Sequence, residues 1–201
     1  MLRMWHRAFR RAEIPIASTE GRTPRPRLSI AAPLPIGVTG EAELMDVHLK
    51  RRISPFYFLK QLALQLPQGI QVTQAVDVPL DWPSLQSSVR RAEYTVVVPT
   101  ESTPAALEEA IQSLLRKETL PWEHWRNEEV RRYDLRGLIH DLRCKVLGNG
   151  EATLTMLLKT DPSGSGRPEQ VVAALGLPVP PQSIHRTRLV LADRNRKPGG
   201  H

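Results

Sequence analysis

Arg22, Arg25 and Arg27 lie on a proline-stiffened stretch, GRTPRPR at residues 21–27, and are the side chains best placed to do chemistry. Each proline biases the residue before it away from helix, so the stretch reads as extended. A stiff segment loses less entropy when its side chains clamp an anion, and a planar guanidinium matches two phosphate oxygens at once. Arg186 and Arg188, two apart on the last predicted strand, are expected to share a face, with His185 and Thr187 on the other. The chemistry these five arginines predict is phosphate binding, with RNA as the polyanion. Stacking aromatics would strengthen that reading. Trp5, Trp82, Trp122 and Trp125 are present, but none falls in a predicted strand with the required alternation.

Other chemistries fare worse. Glu41 and Glu43 are predicted on one face of a strand and Asp46 on the other, and with His185 they make up a polar site. Paired carboxylates can do acid–base work, yet strand acids more often solubilise or pair with arginine. His140 and Cys144 share a predicted face, four residues apart and without an orienting group, so they predict no nucleophile. Neither GxGxxG after a strand nor GxxxxGK[ST] occurs. Gly164-Ser165-Gly166 precedes a short helix but is too glycine-poor to read as more than a loop. One cysteine builds neither a thiolate zinc site nor an iron–sulfur cluster. No catalytic residue, metal or cofactor is predicted.

The elements that must position these residues follow from periodicity. Leu2, Trp5, Ala8, Phe9 and Ala12 recur at helical spacing opposite Arg3, Arg7, Arg10 and Arg11, with Pro15 closing the helix. Strands are predicted at 28–36 and 42–49, a helix opening at Ser54-Pro55 and ending near Gly69, and a strand at 70–78. The remainder reads as strand 94–98, helix from Thr103-Pro104 to Leu115, a tryptophan-containing loop, a short strand at 130–135, a hairpin over 138–158 around Gly148-Asn149-Gly150, helix 168–175 and strand 184–191. The second half is thus βαββαβ plus one short strand, and the first half is the same order without its opening strand. The expected fold is α+β, two ferredoxin-like βαββαβ units in tandem. Their expected bounds are 1–80 and 93–191, with a linker at 81–92 and a disordered basic tail at 192–201.

The composition suits a folded protein, with 40% hydrophobic and 24% charged residues. A lone Cys144 fits a reducing compartment, and no apolar run reaches the roughly 20 residues needed to span a bilayer, so a cytoplasmic protein without membrane contact is expected. The net charge of +7 is uneven: residues 1–30 carry seven Arg against two Glu, and residues 184–201 carry five Lys or Arg against one Asp. Ends of that kind suit a polyanion if the fold unites them.

Several blocks resemble a known family. Glu20-Gly21, Pro24-x-Pro26-Arg27-x-Ser29, Ala32-Pro33-Leu34-Pro35-x-Gly37-Val38 and Glu41-Ala42-Glu43-x-x-Asp46 look like the signature of the radical-SAM-linked proteins, a bacterial domain of unknown function found beside or fused to radical SAM proteins. Tyr133-Asp134-Leu135-Arg136, Arg167-Pro168-Glu169 and Ile184-His185-Arg186-Thr187-Arg188 resemble it as well, so the likeness runs over about residues 1–191. The family has a strand and a Ser-His-Leu-Asp-like stretch before its first helix, which implies a natural start upstream of Met1. Its Asn-Pro-His-Pro loop reads Thr23-Pro24-Arg25-Pro26 here, an arginine suited to anion contact where the family has histidine. There is no CxxxCxxC, so the chain is not itself the radical SAM enzyme.

The resemblance implies an accessory role to a radical SAM protein, with RNA or ribosome-related particles as further partners. Three functions are therefore expected in order: a non-catalytic module binding RNA through its arginines; a protein–protein adaptor anchored by Trp122 and Trp125; and an enzyme with a dispersed site around Arg25, Glu41 and Glu43.

Overall fold

Two helix starts are written in side-chain caps. The Ser54 hydroxyl accepts from the Tyr57 amide at 3.1 Å and starts a helix over Pro55–Ala63; the Thr103 hydroxyl accepts from the Ala106 amide at 3.3 Å and starts a helix over Pro104–Arg116. Proline fills the first turn of each, where a missing amide hydrogen costs nothing. The computed structural model describes residues 2–126 and 129–192, and in it the chain divides into two compact units. The first comprises residues 1–30 and 45–84, the second residues 31–44 and 85–201. The chain thus leaves the first unit after Ile30 and returns to it at Met45.

The first unit holds α1 (Leu2–Arg11), α2 (Pro55–Ala63) and a two-stranded antiparallel sheet of β1 (Leu28–Ile30) and β3 (Met45–Val47). Ala8, Phe9, Ala12, Ile14 and Leu62 form its buried core, with Phe9 between the rings of Trp5 and Phe58 at 5.8 and 5.9 Å. The predicted strand 70–78 is not formed, and Val76 and Val78 are exposed. Among the described residues this unit therefore lacks the sheet of a ferredoxin-like repeat, and the expected tandem is not seen. Strand alternation at 70–78 had no partner edge to satisfy its backbone. Strands 28–36 and 42–49 are cut to three residues each because Pro33 and Pro35 cannot continue a ladder.

The second unit is built on β4 (Val89–Pro99), α4 (Pro104–Arg116), β7 (Ile139–Gly148), β8 (Glu151–Asp161), α5 (Pro168–Ala174) and β10 (Ser183–Leu191). These run β-α-β-β-α-β with strand order β10-β4-β8-β7, every neighbouring pair antiparallel. Alternate residues Ala92, Tyr94, Val96 and Val98 of β4 and Ala152, Leu154, Met156 and Leu158 of β8 are buried in one core with Leu107, Ile111 and Leu114 of α4 and Val171 and Val172 of α5. The β7–β8 hairpin turns at Asn149-Gly150 with φ of 54° and 76°, the two positive values a type I′ turn needs.

Four features of this unit depart from expectation. Strand β2 (Val38–Gly40) joins the sheet edge in parallel with β10, Val38 facing Ile184. The segment expected to be a tryptophan loop is a strand, β5 (Pro121–Arg126), which pairs with β6 (Glu129–Asp134), the short strand expected at 130–135. The 85–88 part of the expected linker is a short helix, α3 (Leu85–Ser88). A two-residue strand, β9 (Gly164–Ser165), pairs with β8 where a plain loop is expected. The expected tail beyond Ala192 lies outside the described residues.

Candidate functional site

In the first unit three chain segments tie one another down. The Arg27 amide donates to Ala17 O at 2.8 Å, the His48 amide to Arg27 O at 3.0 Å and the Ala17 amide to His48 O at 2.8 Å, a closed ring of three backbone bonds. The loop that leads into it is fastened at its base: Thr19 N donates to Arg25 O at 2.8 Å, and Thr19 Oγ1 accepts from Arg25 N at 3.0 Å. Arg22, Arg25 and Arg27 are all exposed on this fixed backbone, as are Arg3, Arg7, Arg10 and Arg11 of α1. None of the seven forms an ion pair among the described residues. This unit carries eleven Lys or Arg against five Asp or Glu, a net +6 out of the chain's +7. Most of this unit's excess charge comes from residues 1–30, which carry seven Arg against two Glu.

The second unit uses its predicted arginines differently. Arg186 is buried at 2% exposure and bonded to Glu43: its Nε donates to Oε1 at 2.8 Å and its Nη2 to Oε2, with a further bond from Nη2 to Ala32 O. Burial by itself would lower the Arg186 pKa, but the hydrogen bonds and charge of Glu43 outweigh it and hold the guanidinium above its ordinary value. Tyr94, the cross-strand neighbour of Arg186, is also buried, and burial pushes its phenol up against the opposing pull of Arg186. An external phosphate cannot reach Arg186, which leaves the phosphate-contact set on that ground.

A bulge explains why the shared face fails. The register with β4 pairs Arg186 with Tyr94 but Arg188 with Glu93, leaving Thr187 as the extra residue. Before the bulge Ile184 and Arg186 point inward; after it Leu189 does, and Arg188 is exposed with its Nε 2.7 Å from Glu93. His185 shares a 2.8 Å hydrogen bond through Nδ1 with Thr39 Oγ1, and its Nε2 lies 3.7 Å from Glu41. Glu41, Glu43 and His185 are therefore gathered at the β2–β10 edge, while Asp46 sits half-buried on β3 of the first unit, opposite Ser29. Glu43 is engaged by Arg186, while Glu41 stays exposed.

The remaining sequence blocks are structural. Asp134 accepts from the amides of Leu120 and Arg136, bonds that hold its carboxyl below the ordinary range. Arg136 donates to Leu115 O and Ile139 O, and the Tyr133 hydroxyl donates to Gln170 at 2.6 Å. Trp122 is half-buried against the core; the Trp125 side chain lies outside the described residues. No helix among the described residues is long and apolar enough to cross a membrane.

Residues 1–168 match the model of a family described as "Uncharacterized protein conserved in bacteria (DUF2344)". No curated protein matches the chain. One solved structure, described as "Crystal Structure of a Cbf5-Nop10-Gar1 Complex", aligns with a TM-score of 0.44 at 11% identity, over 81% of this chain and 40% of that one. At that score the likeness supports no statement about fold or function.

Proposed function

The chain belongs to the bacterial family DUF2344, and we propose that it is a non-catalytic accessory module that binds RNA through the arginine face of its first unit, in the service of a radical SAM partner. The observation that carries this reading is the set of seven exposed arginines without ion pairs, held on α1 and on a loop fastened at Thr19–Arg25. A fastened backbone limits the entropy lost on binding, and unpaired guanidinium groups supply charge-assisted bonds to phosphate. The second unit, with its βαββαβ order, is read as a ferredoxin-like platform whose Glu43–Arg186 pair is structural. Arg22, Arg25 and Arg27 keep their assignment as phosphate contacts, Arg188 is a rim residue shared with Glu93, and Arg186 is excluded. The radical SAM partner is inferred from the sequence blocks alone.

The test is binding of the purified full chain to bulk RNA between about 50 and 200 mM salt, where several phosphate contacts give a steep fall in affinity. Steep dependence, weakened by Arg25→Ala, supports the reading. Absence of binding at the lowest salt sinks it. A second reading, an adaptor that docks on the radical SAM protein without RNA contact, is favoured by the exposed Phe56, Leu64 and Leu80, at 75%, 71% and 92%. A salt-insensitive complex with that partner, formed by a chain that ignores RNA, would select it.

A further inference from the structure

A cleft of about 540 Å³ opens in the first unit between α1 and the segments that follow it. Its size falls within the roughly 300–1,000 Å³ usual for small-molecule sites. The floor is apolar: Phe9 and Ile14 are buried beneath it, and the half-buried Ile16 and Pro26 supply its accessible surface. The floor is also stiff, since Phe9 is held between Trp5 and Phe58. The rim is cationic. Arg7 and Arg10 lie one turn apart on the exposed side of α1, with His6 beside them, and Lys50 faces them from a backbone fixed by its amide bond to Pro15 O at 2.7 Å. Pro26, next to the ring of three backbone bonds, closes another wall. No carboxylate lines the cleft among the described residues.

An apolar floor alone would accept any small hydrophobe, and a cationic rim alone any anion. Together they select a ligand with a flat, weakly polar body and an anionic group at one end. We infer that the cleft seats one nucleotide unit, its base against the half-buried Ile16 and Pro26 and its phosphate between Arg7, Arg10 and Lys50. Guanidinium groups grip phosphate oxygens in pairs, and a base is sequence-tolerant in its stacking and apolar contacts. The inference deepens the RNA-binding reading and rests on it only for the source of the nucleotide, which is either a strand or a free nucleotide.

The experiment titrates the full chain calorimetrically with uridine 5′-monophosphate, uridine and inorganic phosphate, beside a labelled single-stranded oligonucleotide. The mononucleotide is expected to bind at least about tenfold tighter than either fragment, and Arg10→Ala and Lys50→Ala each to weaken it about 10- to 100-fold, the worth of one charged hydrogen-bonded contact. Both side chains are exposed, so an unchanged unfolding transition will show that the variants fold. Mononucleotide binding no tighter than phosphate overturns the cleft assignment; if the oligonucleotide still binds with a steep salt dependence, the RNA reading stands without it. Mononucleotide binding with no oligonucleotide binding supports the cleft as a free-nucleotide site and overturns the RNA reading. Competition of the mononucleotide with the oligonucleotide supports both.

Discussion

Arg186 and Glu43, 143 positions apart in the chain, are joined by two side-chain hydrogen bonds, one of them 2.8 Å from Nε to Oε1. The arginine is sealed from solvent while the carboxylate keeps 28% of its side-chain surface. Removing the acid strands a buried cation, whereas removing both charges leaves an apolar site. Glu43→Ala is therefore expected to cost about 3–5 kcal/mol, and the double change Glu43→Leu with Arg186→Met to recover most of it. Urea unfolding of the three proteins measures this; equal stability of Glu43→Ala and the parent would show that the pair is not desolvated.

Gly40 is the space that the pair requires. A Cβ built there would lie 2.5 Å from Glu43 Oε1 and 3.2 Å from Leu34 Cδ1. Gly40→Ala should destabilise by about 1–3 kcal/mol, as small-to-large changes in packed sites do. In a Glu43→Ala background its cost should shrink, because the clashing atom is gone. A double-mutant cycle gives the coupling, and strict additivity would refute the link.

The buried phenol of Tyr94 sets an alkaline limit. Its pKa is raised by burial, so below about pH 10 both folded and unfolded forms carry the proton and stability is at its full value. As pH rises further the unfolded chain ionises first, and stability falls by up to about 1.4 kcal/mol per pH unit until the folded phenol ionises too. Unfolding midpoints measured from pH 8 to 11 should decline at the top of that range, and Tyr94→Phe should flatten the decline. An unchanged slope in Tyr94→Phe would assign the loss to other groups.

Each exposed arginine of the first unit that contacts phosphate should remove about 0.7 to 0.9 from the log–log salt slope when changed to alanine. Arg22→Ala, Arg25→Ala and Arg27→Ala are expected to do so with little change in unfolding, since all three side chains are exposed. The slope of RNA binding against salt for each variant checks this, and identical slopes would take the loop out of the interface.

Much of the second unit is legible without coordinates. Thr103-Pro104 announces a helix, Asn149-Gly150 a hairpin, and the apolar alternation of β4 and β8 a half-buried sheet. The first unit is less legible, because β1 and β3 are three residues each and the real fastening is a ring of backbone bonds that no side-chain pattern encodes. Of the β5–β6 hairpin only β6 is legible, as the short strand expected at 130–135; its partner β5, opening at Pro121 among tryptophans, reads as a loop. The two arginines of β10 mislead for a single reason. An extra residue at Thr187 reverses the inward side of the strand, and a period of two read through a bulge assigns the wrong face to everything on one side of it. Glu43 could have been paired with Arg186 only by knowing that β2 lies beside β10.

That parallel pairing of β2 with β10 also bears on the order of synthesis. Val38 meets Ile184, so β2 emerges from the ribosome long before the strand that will hold it. At about 5–20 residues per second its partner arrives roughly 7 to 30 seconds later. Throughout that interval the Glu43 carboxylate has no arginine, and the edge it stands beside has no neighbour. Because residues 31–44 interrupt the first unit, that unit too must close around a loop whose destination has not yet been translated.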